Sequence, residues 1–96
     1  MKQYVVYGWD GKDENALERR MTVRPSHFEN AKRLKALGNF IFGGAILDRN
    51  GKMIGSNMIM QFETDSELED WLNSEPYITK EVWEKYELHP FKVADV

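Results

Sequence analysis

The chain contains no cysteine, which excludes disulfide bonds, thiol catalysis and thiolate metal sites together. Histidine is scarce as well. His27 and His89 have no short-range ligand spacing, so a zinc site would need donors gathered from distant segments, and no metal is expected. No apolar run approaches the roughly 18 residues of a membrane helix. Signal-peptide features are missing too: Met1-Lys2-Gln3-Tyr4-Val5-Val6 passes straight into an alternating pattern. A soluble cytoplasmic domain without membrane contact is therefore expected. There is no G-x-G-x-x-G, P-loop, H-E-x-x-H or G-x-S-x-G string, and no cofactor is expected. An excess of basic charge is also lacking. Thirteen Lys and Arg stand against sixteen Asp and Glu, and a net charge of −3 offers nucleic acid no overall attraction.

What is present describes a folded domain. Hydrophobic residues make up 42% of the chain and charged ones 30%, a globular balance. Three Trp, four Tyr and five Phe argue against disorder. Ninety-six residues suit a single domain spanning 1–96. The charges are unevenly placed. Arg19, Arg20, Arg24, Lys32, Arg33 and Lys35 share their stretch with one acid, Glu29. Glu63, Asp65, Glu67, Glu69, Asp70 and Glu75 share theirs with no base. The ordinary meaning is two solvated helix faces of opposite sign. The sharper one is a basic rim that draws small anions to a nearby site, or opposite blocks meeting across a subunit interface.

The pattern predicts a strand over Tyr4–Trp9, followed by turn chemistry at Asp10-Gly11-Lys12-Asp13. Asn15–Met21 forms a short helical turn, and Pro25 suits the first position of a separate, longer helix. In that helix Phe28, Ala31, Leu34 and Leu37 make the inward stripe, with Gly38-Asn39 as the stop. Strands follow over Phe40–Leu47 and Met53–Phe62, joined by a hairpin loop containing Asn50-Gly51. Thr64 and Glu67 form a capping box for a helix burying Leu68, Trp71 and Leu72. After a short turn, Lys85–His89 alternates as a final strand. The order β-α-β-β-α-β is the ferredoxin-like α+β arrangement, a four-stranded antiparallel sheet with helices on one side. Two helices cover only one face of such a sheet. A second copy of the chain is the simplest cover for the other, so a symmetric homodimer with facing sheets is expected.

His27 is the leading candidate for chemistry. It begins the long helix in line with Ala31 and Leu34, at the border of the buried stripe. A helix N-terminus disfavours an imidazolium unless a carboxylate offsets the dipole, and Asp10 at the end of the first strand is placed to be that carboxylate. The plain alternative is a core-edge histidine satisfied by a backbone carbonyl. Arg20 and Arg24 flank the region and suit a carboxylate, phosphate or phenolate, although a lone arginine more often forms a surface ion pair. Ser56, between Gly55 and Asn57, faces small residues Gly43 and Gly44 on the neighbouring strand. They leave room for a ligand, or they mark a bulge. Asp48 reads as a turn residue and His89 as exposed.

Several strings are similar to the YciI-like (YCII-related) family. They are Leu17-Glu18-Arg19-Arg20-Met21-Thr22-Val23-Arg24-Pro25-Ser26-His27, Gly43-Gly44, Gly55-Ser56, Glu75-Pro76-Tyr77 and Pro90-Phe91-Lys92. Tyr4-Val5-Val6-Tyr7 followed by Asp10 resembles the family's first strand and its aspartate. The resemblance implies a dimeric α/β barrel built from two ferredoxin-like protomers. It also implies a His–Asp pair in a cleft, and relatives linked to breakdown of chlorinated aromatic compounds. Carried over, His27 is the histidine, Asp10 its acidic partner and Ser56 a pocket residue; Arg20 and Arg24 match arginines of the signature, and these three with Glu75 are the expected substrate-binding residues. Glu75 stands where the family often has Asp before Pro-Tyr, which adds a methylene and leaves two residues, Asp10 and Glu75, as candidate partners of His27.

Two functions are weighed on this basis. One is a cofactor-independent enzyme in which His27 and Asp10 perform acid/base chemistry on a small, cyclic or aromatic anion held by Arg20 or Arg24, by elimination, isomerisation or lactone chemistry. The other is a non-catalytic dimer that binds a metabolite. RNA binding on the sheet is set aside, because Met53–Met60 carries no aromatic residue for base stacking.

Overall fold

The computed structural model describes all 96 residues, Met1 to Val96. Strands β1 (Lys2–Asp10), β2 (Phe40–Leu47), β3 (Met53–Phe62) and β4 (Trp83–Phe91) combine with helices α1 (Ala16–Ala36), α2 (Asp65–Leu72) and α3 (Pro76–Thr79). The sheet order is β2-β3-β1-β4 with every neighbouring pair antiparallel, the ferredoxin-like α+β topology expected. Alternation fixes the register. Tyr4, Val6 and Gly8 of β1 lie opposite Met60, Met58 and Ser56 of β3, and this face looks toward the helices. There Val6, Met58, Met60, Phe62 and Trp83 pack with Leu34, Leu68, Trp71, Tyr77 and Val82. Burying each large apolar side chain contributes about 1.5–3 kcal/mol, and a slip of one residue would turn the whole set outward. The register is thus held by the core.

Two expectations about the first helix need correction. The segments before and after Pro25 form one continuous helix, Ala16–Ala36, with the proline inside it. Pro25 lies on the exposed side, where water can satisfy the carbonyl that loses its amide partner. The buried stripe also differs from the apolar one. It consists of Ala16, Arg20, His27, Ala31 and Leu34, whereas Phe28 is 47% and Leu37 61% exposed. The inward face of α1 therefore carries two polar side chains.

The remaining elements follow their local signals. Thr64 caps α2 by accepting the Glu67 amide at 3.2 Å. Asp48 accepts the amides of Asn50 and Lys52 within its turn, and Gly51 adopts a φ of 83° there. The opposite sheet face bears Val5 and Ile59 at its centre, and around them Tyr7, Phe42 and Phe91 are exposed. No helix is long and apolar enough to cross a membrane.

Candidate functional site

A spacing of three and four residues along α1 brings Arg20 and His27 to the inward face, about two turns apart. Each finds a buried carboxylate from elsewhere, and the two pairs are separate. Arg20 donates from Nη1 to both Asp10 oxygens, at 2.9 and 3.1 Å, and from Nη2 to Ser56 Oγ at 2.8 Å. Trp83 Nε1 donates to the same Ser56 oxygen at 3.3 Å. Gly8 makes room for this arrangement, since a Cβ there would lie 2.2 Å from the Trp83 indole. Burial works to raise the Asp10 carboxyl, while the charge and hydrogen bonds of Arg20 work to lower it.

His27 does not meet Asp10. Its Nδ1 instead pairs with Glu75 Oε1, and this corrects the expected His27–Asp10 contact. Glu75 is fully buried at the cap of α3 and also accepts from Trp71 Nε1 at 3.3 Å and from the Tyr77 amide at 3.3 Å. The reason is topological. Asp10 ends β1 beside the start of α1, where Arg20 is the first inward polar side chain, and the segment after α2 delivers Glu75 to the next turns of that helix. The longer side chain spans the gap. The contact orients the imidazole through Nδ1, an ionised Glu75 would select the tautomer with the proton there, and Nε2 has no protein partner. The Tyr77 ring stacks on His27 with centroids 3.9 Å apart and planes tilted by 10°, which sets the ring's orientation.

These groups border a cleft of 320 Å³ between α1, the β2–β3 edge and Tyr77. Arg20, Arg24, Lys32 and Lys35 line it together with His27, and no carboxylate does. Arg24, Lys32 and Lys35 form no ion pair, and Arg24 lies over the Phe28 ring at 4.5 Å. Gly43, Gly44 and Ala45 form part of the wall, so the small residues of β2 do leave space, and a bulge interrupts the register between Phe40 and Phe42. Nowhere do three His, Cys, Asp or Glu side chains converge. The arrangement can bind a small anion with an apolar body and move a proton at His27 Nε2.

Of the sequence-derived candidates, His27, Arg20, Arg24 and Ser56 line the cleft, Asp10 and Glu75 stand behind it, and His89 is exposed as expected. Tyr77 and Trp83 were missed as site residues. The spacing of Arg20 and His27 on one helix face was a readable signal for a buried arginine; for Trp83 no local signal exists.

Fold and site together define a small ferredoxin-like α+β domain that presents a buried histidine–carboxylate pair beside a cationic cleft. The chain belongs to the YCII-related family, whose domain model matches residues 3–92. It is 32% identical over 95 residues to the Escherichia coli protein YciI, covering 93% of this chain and 95% of that protein. An uncharacterized Haemophilus influenzae protein is 34% identical over 95 residues, with the same 93% and 95% coverage. Among solved structures, 5-chloro-2-hydroxyhydroquinone dehydrochlorinase from Burkholderia phenoliruptrix, complexed with 2,5-dihydroxybenzoquinone, superposes with a TM-score of 0.79. That match is 21% identical and covers 96% of this chain and 95% of the other, which speaks for the fold alone. A dimeric ferredoxin-like protein from an uncultured marine organism matches with a TM-score of 0.53 at 11% identity, over 100% of this chain and 98% of that one.

Proposed function

We propose that this protein is an enzyme that moves a proton on a small aromatic or cyclic anion, using His27 as the acid/base group and Glu75 to hold it. One observation carries this reading. A buried carboxylate fixes Nδ1 of His27 while Nε2 is left unpartnered on a residue lining a cleft whose only charged side chains are cationic. Arg24, free of ion pairs, attracts and orients the anion, and Lys32 and Lys35 raise its local concentration at the rim. Arg20 is held by Asp10 and Ser56, so its contribution lies mainly in the rigidity of the wall.

The reaction class the site suits best is elimination or isomerisation through an enolate or phenolate. In a dehydrochlorination, a base takes a proton from substrate carbon or hydroxyl, the electron pair forms a new double bond, and chloride leaves. Such proton transfer contributes roughly 10²–10⁴-fold to a rate. The fold shared with a dehydrochlorinase that binds a dihydroxybenzoquinone supports the choice of chlorinated hydroquinones as first substrates. The test is chloride release from such compounds, together with binding of 2,5-dihydroxybenzoquinone. His27→Gln is expected to lose at least 10²-fold in turnover while retaining binding. Equal turnover by wild type and His27→Gln would refute the assignment, and binding without any turnover would favour a metabolite-binding module.

The assembly proposed is a homodimer closed through the uncovered sheet face. Tyr7, Phe42 and Phe91 are exposed there around Val5 and Ile59, apolar positions interleaved with Lys85, Glu87 and His89 as in an interface with a polar rim. The match to a dimeric ferredoxin-like protein supports it. Phe42→Asp should shift the mass measured by light scattering from dimer to monomer, and a wild-type monomer at micromolar concentration would refute the proposal.

A further inference from the structure

Tyr77 is 1% exposed, and most of it is accounted for. Its amide donates to Glu75, its carbonyl accepts from Val82, and its ring stacks on His27 and meets Trp83 edge-on with centroids 5.8 Å apart. Its hydroxyl is not. Oη is buried and has no hydrogen-bond partner. A hydroxyl stripped of water and left unpaired works against folding, and phenylalanine would make the same stack without that cost. A second such atom belongs to its neighbour: Nε of Arg20, whose guanidinium carbon lies 4.8 Å from the Tyr77 centroid, is likewise buried and unpartnered. Both residues line the cleft that holds His27. The remaining orphan, Asn30 Nδ2, lies outside that lining.

Resting on the anion-binding reading of the same cleft, we infer that Tyr77 Oη donates to an oxyanion of the substrate, a phenolate or enolate oxygen. The hydroxyl has no acceptor within the protein because the ligand supplies one. Burial pushes the Tyr77 phenol up, which keeps it a donor across the neutral range. Hydrogen bonds to a charged acceptor are the strong ones, and a donor already in place stabilises charge on the oxygen as it develops. Tyr77 then supports the chemistry twice, by orienting the His27 ring with its face and by receiving the anion with its hydroxyl.

The experiment uses Tyr77→Phe, which keeps the stack and deletes the oxygen. Binding of 4-nitrophenolate is followed by the absorbance of the chromophore, and thermal melts are recorded without ligand. The variant should bind about tenfold or more weakly, with the bound chromophore less readily ionised, and should melt at or above the wild-type temperature. Two results would overturn the inference and leave the anion cleft standing: equal affinity in both proteins, or a variant melting more than about 4 °C lower, which would give the hydroxyl a structural partner. Failure of the wild type to bind 4-nitrophenolate at all would reject the anion cleft and this inference with it, whereas equal binding by wild type and variant would reject the inference alone.

Discussion

Asp10→Asn removes one charge from a pair whose side chains are each 3% exposed. The substitution preserves shape and leaves one acceptor for Arg20 Nη1, but the guanidinium then stays buried without a counter-charge. At an effective dielectric of about 20, unit charges 4 Å apart attract by about 4 kcal/mol. Breaking a buried pair by removing one partner costs about 3–5 kcal/mol. The retained acceptor places asparagine at the lower end, about 3 kcal/mol, or a fall in Tm of about 12–24 °C for a domain of this length. Urea unfolding at fixed protein concentration, extrapolated linearly with m unchanged, is the assay. A loss under about 1 kcal/mol would refute the reasoning, for it would mean that water reaches Arg20. The second substitution sharpens the test. Adding Arg20→Met to Asp10→Asn should recover stability, because it removes the stranded charge, although Arg20→Met alone strands Asp10 and destabilises. The exposed Asp13–Arg19 pair at 2.8 Å offers the contrast, with little expected from Asp13→Ala beyond loss of its turn contact.

Other expectations can be checked separately. Long-range nitrogen–proton NMR spectra of neutral His27 should show the proton on Nδ1, and an Nε2–H tautomer would contradict the Glu75 contact. Burial holds the Tyr77 phenol above 10.0, so ionising it at high pH destabilises the fold, and stability falls as pH rises past that value. Urea midpoints at about pH 9 and about pH 11 should differ less for Tyr77→Phe than for wild type. Gly8→Ala places a Cβ 2.2 Å from the Trp83 indole and should cost about 1–3 kcal/mol or more, with altered tryptophan fluorescence.

Much of this protein was determined by its sequence alone, because much of it rests on local chemistry. The spans of β2 and β3 follow from apolar runs bounded by Gly38-Asn39, Asn50-Gly51 and Thr64, and each of these acts within a few residues. The element order then leaves the ferredoxin-like sheet as the natural topology, and the helical phase of His27 with Ala31 and Leu34 places it at the core. Tertiary structure decided the rest. Pro25 stops a helix in isolation, yet α1 runs through it, since packing of Arg20, His27, Ala31 and Leu34 on one face outweighs a single amide lost to solvent. Phe28 and Leu37 look like core by composition but lie outside, displaced by polar side chains whose partners arrive from other segments. The pairing of His27 with Glu75 and of Arg20 with Asp10 is the clearest case. Either carboxylate could serve either side chain in one dimension, and only the docking of α3 against α1 chooses between them, because pairing energies depend on distances that spacing along the chain does not contain.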